Sequence, residues 1–207
     1  TEDGDVENHP GPGGEVQEGE ERLFLGIVAI NANRIHPPVV RDGWGRVTTS
    51  WGTEGHLRDL LEDHKRHKWA IAGLSELGAL DTEIKALREK LREEGLGIKA
   101  TGAKEGRGSL NKAGAAIIYD ITQVEWVKGS TEIIIAHRAI KAEMKFIKDQ
   151  SRVEVIAAYM PVDGTGEKET EEAWDALIWA VGPKTVILTD ANADWETKKR
   201  VGDQHLS

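Results

Sequence analysis

Lys184-Thr185-Val186-Ile187-Leu188-Thr189, followed at once by Asp190-Ala191-Asn192, is the segment from which the rest of the chain is best read. A short apolar run closed by an acid and an amide predicts a buried strand with polar groups at its carboxyl end. By itself Asp-x-Asn is a common turn former, because both side chains hydrogen-bond nearby backbone. The same arrangement recurs at three other places. Leu23 to Ile30 (LFLGIVAI) runs into Asn31-Ala32-Asn33, Trp69 to Leu74 (WAIAGL) into Ser75-Glu76, and Val153 to Met160 closes on Tyr159-Met160-Pro161. Residues just past the carboxyl ends of strands line the ligand crevice of α/β sheets. Carboxylates and amides converging there suit a hard cation such as Mg2+, which takes one or two protein carboxylates together with phosphate oxygens. Taken singly, each residue has a plainer role: Asn31 and Asn33 as turn formers, Glu76 as a solvated strand end, Tyr159 as a core aromatic.

Between these strands the chain alternates. His56 to His67 predicts a helix with Leu57, Leu60 and Leu61 as its apolar stripe. Asp81 can cap a second helix from Thr82 to Glu94, with Ile84, Leu87 and Leu91 on one face and Gly95 as its stop. Ala113 to Tyr119 and Ile133 to Ala136 read as strands. In the next one, Ile140, Ala142, Met144 and Phe146 alternate with Lys141, Glu143 and Lys145. Glu167 to Val181 predicts a third helix, with Trp174, Leu177, Ile178 and Val181 at helical spacing. Residues 34–55, rich in Pro and Gly and carrying Trp44 and Trp51, read as a long loop. Early β/α alternation followed by strands joined as hairpins predicts an α/β domain with a mixed sheet rather than a purely parallel one.

Composition narrows the function. The 207 residues contain no cysteine, which excludes disulfide scaffolds, thiolate–zinc sites and cysteine nucleophiles. No apolar run reaches membrane-spanning length, so no membrane partner is expected. The formal charge of −9 would argue against a nucleic-acid partner, but it is concentrated. Eight acids and no Lys or Arg lie in residues 1–21, leaving 28 acids against 27 bases from Arg22 onward. Residues 1–21, rich in Gly and Pro, are expected to be a disordered tail, and residues 22–207 the folded domain. Gly102 to Ser109 lacks the Gly-Lys-Ser/Thr ending of a phosphate loop. His64 and His67, among Lys65, Arg66 and Lys68, read as a solvated basic helix end.

The order Asn31-Ala32-Asn33, Leu74-Ser75-Glu76, Tyr159-Met160-Pro161 and Asp190-Ala191-Asn192 resembles the endonuclease/exonuclease/phosphatase superfamily, of deoxyribonuclease-I-like fold. Asn111 to Ile118 also looks like that family's Gly-x-Ala-Ile-Leu strand. The resemblance implies a four-layer α/β sandwich with mixed sheets and a hydrolase using Mg2+, with Mn2+ as a substitute. Glu76 and Asn31 would form the metal site. Asp190 would activate water, Asn192 would fix it and the scissile phosphate, and Tyr159 would hydrogen-bond that phosphate. Ser75-Glu76-Leu77 departs from the family's Gln-Glu-Thr, and Thr189-Asp190-Ala191-Asn192 from Gly-Asp-Phe-Asn. The family's closing strands, with an Asp-His pair, normally lie several dozen residues beyond Asp-x-Asn. Ser207 falls short of them, and Asp203-Gln204-His205 follows Asn192 too closely to replace them. The domain is therefore expected to lack its C-terminal strands and to be weakly active or inactive as given.

Gly4-Asp5-Val6-Glu7-Asn8-His9-Pro10-Gly11-Pro12 is similar to a 2A-type ribosome-skipping peptide, with His9 where that motif has Asn. Such peptides precede the endonuclease of some LINE-type non-LTR retrotransposons. Together the two resemblances imply a DNA-nicking endonuclease upstream of a reverse transcriptase, intracellular and acting in the nucleus. The alternatives are a lipid or small-molecule phosphatase of the same superfamily and a degenerate, non-catalytic module.

Overall fold

A computed structural model of the chain describes residues 26–32, 39–41, 47–49, 56–104, 113–161 and 167–191. The acidic tail, Asn33, Trp44, Trp51, Asn192 and Asp203 to His205 lie outside the described residues. Strand β1 (Ile27–Asn31) is followed by a short antiparallel pair, β2 (Val39–Arg41) and β3 (Val47–Thr49), within the stretch expected to be loop. Then come α1 (His56–His67), β4 (Ile71–Ser75), α2 (Asp81–Glu93), β5 (Leu96–Thr101) and β6 (Ala115–Asp120). The second half holds β7 (Val124–Trp126), β8 (Glu132–Ile135), β9 (Ala139–Phe146), β10 (Arg152–Tyr159), α3 (Glu167–Trp179) and β11 (Thr185–Asp190).

Two mixed sheets result, one per half of the chain. The first runs β1-β4-β6-β5, with β1 parallel to β4 and the other neighbours antiparallel. The second runs β11-β10-β9-β7, with β8 also on β9; here β10 and β11 are parallel and the rest antiparallel. Each half thus contributes one parallel pair whose carboxyl ends lie level: Asn31 is in register with Ser75, and Tyr159 with Asp190.

Three apolar clusters separate four layers. Leu57, Leu60, Leu87 and Leu91 of the first two helices pack on one face of the first sheet through Trp69, Leu74 and Ile118. Ile71, Ile117, Ile140, Met144, Val155 and Leu188 fill the space between the sheets. Ile156 and Ala158 meet Ala173 and Leu177 of α3 on the far side. Alternation along β9 sorts its residues in this way, because successive side chains of a strand face opposite sides. Between the sheets Gly73 faces Leu188, where a Cβ would fall 2.3 Å from the leucine Cβ.

Three local expectations change. Leu80, not Asp81, occupies the N-cap of α2; Leu80 N–H donates to the Glu83 carboxylate at 2.8 Å, and Asp81 instead accepts from Gly102 N–H at 2.8 Å. His64 is 8% exposed and bonds Asp120 through Nε2 at 3.2 Å, so it is not part of a solvated helix end. On α3 the buried line runs through Ala173 and Leu177, leaving Ile178 65% exposed and Val181 exposed. Ile178 lies one residue past Leu177, about 100° around the helix, and Val181 lies beyond the end of α3 at Trp179.

Candidate active site

The two parallel strand pairs deliver their terminal residues to one edge of the sandwich. Asn31, the last residue of β1, donates from Nδ2 to Oδ2 of Asp190, the last residue of β11, at 3.0 Å. Tyr159, the last residue of β10, donates its hydroxyl to Glu76 Oε1 at 2.7 Å, and Glu76 directly follows β4. Both bonds cross from one sheet to the other. Asn31, Glu76, Tyr159 and Asp190 are therefore brought together, while Asn192 lies outside the described residues. A gap of about 230 Å³ between the sheets is lined by Asn31, Gly73, Ser75, Leu188, Thr189 and Asp190.

Glu76 reaches Tyr159 from a left-handed backbone, φ +52°. That conformation costs a non-glycine residue about 1–2 kcal/mol and persists only where its surroundings impose it. They do so here through a ladder of main-chain bonds. Leu77 N–H donates to the Gly114 carbonyl, Gly78 N–H to Ala113, and Gly114 N–H to His137 at 2.6 Å. Ala113 (φ +68°) and His137 (φ +62°) are themselves left-handed. Three of the five described non-glycine residues with positive φ thus belong to one bonded cluster beside the site.

Electrostatics follow from this packing. Burial, the bond to Glu76 and the nearby negative charges of Glu76 and Asp190 push the Tyr159 phenol up to about 12, with Arg138 opposing. The phenol therefore stays protonated, and a donor, throughout the neutral range.

Arg138 and His137 are features that sequence reading passed over. Because β9 runs antiparallel to β10, the start of β9 returns to the edge where β10 ends. Tyr159 N–H donates to the Arg138 carbonyl at 2.8 Å, and the Arg138 guanidinium carbon lies 5.9 Å from the Tyr159 ring centre. His137 N–H donates to Thr101 Oγ1 at 3.0 Å, and its Nδ1 lies 2.7 Å from the Gly102 carbonyl. Since a carbonyl only accepts, Nδ1 carries a proton. The one sequence signal was a polar pair, His137-Arg138, between two apolar strands.

The donors gathered here are oxygens: two carboxylates and an amide carbonyl. That set fits Mg2+, which keeps several waters and needs few protein ligands. Among the described residues no three His, Cys, Asp or Glu side chains group as a ready-made cage.

No family model matches the sequence, and no curated protein sequence matches it. Solved structures do. The human nocturnin catalytic domain is 12% identical with a TM-score of 0.52, over 87% of this chain and 69% of that one. An endonuclease/exonuclease/phosphatase protein of Bacteroides vulgatus is 17% identical at a TM-score of 0.49, over 65% and 56% of the two chains. D. rerio TDP2, solved with a single-strand DNA product, is 12% identical at 0.49, over 70% and 56%. The chain thus spans little more than half the length of TDP2. The fold is α/β with mixed sheets and is similar to that of the nocturnin catalytic domain.

Proposed function

We propose that this chain is the endonuclease part of a LINE-type retrotransposon protein, a metal-dependent phosphodiesterase that nicks DNA. The observation that carries the hydrolase reading is the meeting, across two sheets, of Asn31 with Asp190 and of Tyr159 with Glu76. A core needs no such cluster at its rim, whereas phosphoryl transfer needs groups that position water, phosphate and cation together. Asn31 and Glu76 would hold Mg2+, which when bound supplies a Lewis acid for a phosphoryl oxygen. Asp190, oriented by Asn31, takes a proton from the attacking water as that water's oxygen bonds to phosphorus and the sugar oxygen leaves. Tyr159 donates its hydroxyl hydrogen bond to the charge growing on the phosphate. Asn192, two residues beyond Asp190, fixes the water and phosphate.

The retrotransposon assignment is supported by the motif order and by the 2A-like segment Gly4 to Pro12 preceding it. It implies DNA as substrate, a downstream reverse transcriptase and action in the nucleus. Among the described residues no helix is long and apolar enough to cross a membrane.

The test is relaxation of supercoiled plasmid with Mg2+ and with EDTA. Any nicking by the chain as given is expected to be weak and to need Mg2+, and Glu76→Ala or Asp190→Ala should lower it by about 10²-fold or more. Full activity in Glu76→Ala would sink the assignment. Hydrolysis of small phosphomonoesters without nicking would transfer it to a phosphatase. Folded protein inactive on both would leave a non-catalytic module.

A further inference from the structure

We propose that β11 is a self-complementary edge through which two copies of this chain join, each placing its Lys184 beside Asp190 of the other. The pairing goes beyond the hydrolase reading and stands without it. Among the described residues β11 ends the second sheet, with β10 on one side only. Proteins protect such edges with charges, proline or bulges. Thr185 to Thr189 carries none of these: its residues are uncharged, and its register with β10 is unbroken.

The main chain of this edge is set for a further strand. The Lys184 carbonyl accepts from Glu154 N–H at 3.0 Å, and the Asp190 carbonyl from Met160 N–H at 3.1 Å. Successive residues of a strand turn their main-chain groups to opposite sides, so those of Ile187 and Thr189 point away from β10. In an antiparallel pairing centred on Ile187, the two Ile187 residues exchange both bonds, and Thr189 N–H donates to the Thr185 carbonyl of the second copy. Thr185 N–H is already turned to the Gly182 carbonyl at 3.2 Å and is not required.

The side chains select a second copy as the occupant. Lys184-Thr185-Val186-Ile187-Leu188-Thr189-Asp190, laid against its own reverse, matches cation with acid, Thr with Thr, Val with Leu, and Ile with itself. Such opposite pairs are the unit of sheet stabilisation. Val186 and Leu188, which pack between the sheets, continue that core into the second copy. Lys184 shares their face by the period of two, and so comes to the side on which Asp190 meets Asn31. Each copy thereby adds a cation to the rim of the other's candidate site. On the opposite face Ile187, 37% exposed and in register with Ile156, covers its counterpart. One strand pair alone is marginal. Ile178 and Trp179, in the outer layer that packs on Ile156, are 65% and 88% exposed and add apolar area. A two-fold pairing closes on itself, so the product is a weak, concentration-dependent dimer.

Sedimentation velocity of the full chain should show a monomer–dimer equilibrium and no larger species. Ile187→Pro removes the central N–H but none of the bonds to β10, a position an edge strand tolerates, and should weaken association about tenfold or more. A wild-type chain that stays monomeric up to about 100 µM overturns the proposal whatever the variants do. A dimer unchanged in folded Ile187→Pro overturns it too. Lys184→Glu sets acids against acids at both ends and should weaken the dimer more at low salt than at high salt; no change sinks the pairing of Lys184 with Asp190. Because the chain has no cysteine, Ile187→Cys, facing itself across the two-fold axis, gives a test that needs no proline. A short bismaleimide should link it into a dimer much faster than Ile133→Cys, a position 58% exposed on β8 and away from the β11 edge. Equal linkage at the two positions overturns the proposal.

Discussion

Tyr159 is the residue whose surroundings make the sharpest forecast. The chain has two tyrosines, and burial also raises the phenol of Tyr119 above its usual range. In a Tyr119→Phe variant the remaining phenol should titrate near 12, read as phenolate absorbance against pH. Adding Glu76→Gln removes the charge facing the hydroxyl and should bring the midpoint down toward about 10. The sign for stability follows. A folded value above the unfolded one stabilises fully below about pH 10, and that contribution is lost as pH rises toward the folded value. Urea midpoints of Tyr119→Phe should accordingly fall across that alkaline window and fall less steeply once Glu76 is also Gln. At this scale Asn31, Glu76, Tyr159 and Asp190 are legible in the sequence because polar residues at the ends of apolar runs stand out. Arg138 is not, since its nearness to Tyr159 depends on which way β9 returns.

Elements obey their own constraints. Gly73 lets β4 approach β11, and Gly73→Ala would drive a methyl group into Leu188. Overpacking of this kind costs about 1–3 kcal/mol, to be read as a lower urea midpoint. Because the nearest atom is the Leu188 Cβ, which alanine would keep, it is Gly73→Ala with Leu188→Gly that should be less destabilised than the sum of the two single changes. On α1, His64 stands seven residues after Leu57, on the stripe of Leu57, Leu60 and Leu61. Periodicity therefore placed it inside, and its basic neighbours misdirected the sequence reading. Its partner Asp120 is buried, which would push its carboxyl up. Hydrogen bonds from Thr122 and Gln123, with His64 nearby, hold it below the usual carboxylate range instead. That stabilisation is present above about pH 4 and is lost as pH falls through the lowered value. Asp120→Asn should cost about 1–3 kcal/mol at neutral pH and flatten the acid limb of the stability profile. On α3 the apolar residues are too many for one face, so composition alone could not say that Leu177 turns inward while Trp179, 88% exposed, turns out.

Across the whole molecule, alternation of strands and helices makes the α/β class legible, but not the strand orders β1-β4-β6-β5 and β11-β10-β9-β7. Pairing between distant strands leaves no mark on local periodicity. The order matters for stability, because β4 is buried throughout whereas β11 lies at an edge and is only partly covered. Hydrogen exchange should therefore be slowest in β4 and β6 and distinctly faster in β11. Equal protection of β4 and β11 would contradict this arrangement. The bond between Asn31 and Asp190 joins residues 159 positions apart. During synthesis, at about 5–20 residues per second, the first of these leaves the ribosome roughly ten seconds or more before the second. Until then the early strands can pair among themselves, but Asn31 has no Asp190 to meet. Whatever chemistry this edge performs stays silent in a nascent or truncated chain, so the fold itself times its onset to the arrival of β11.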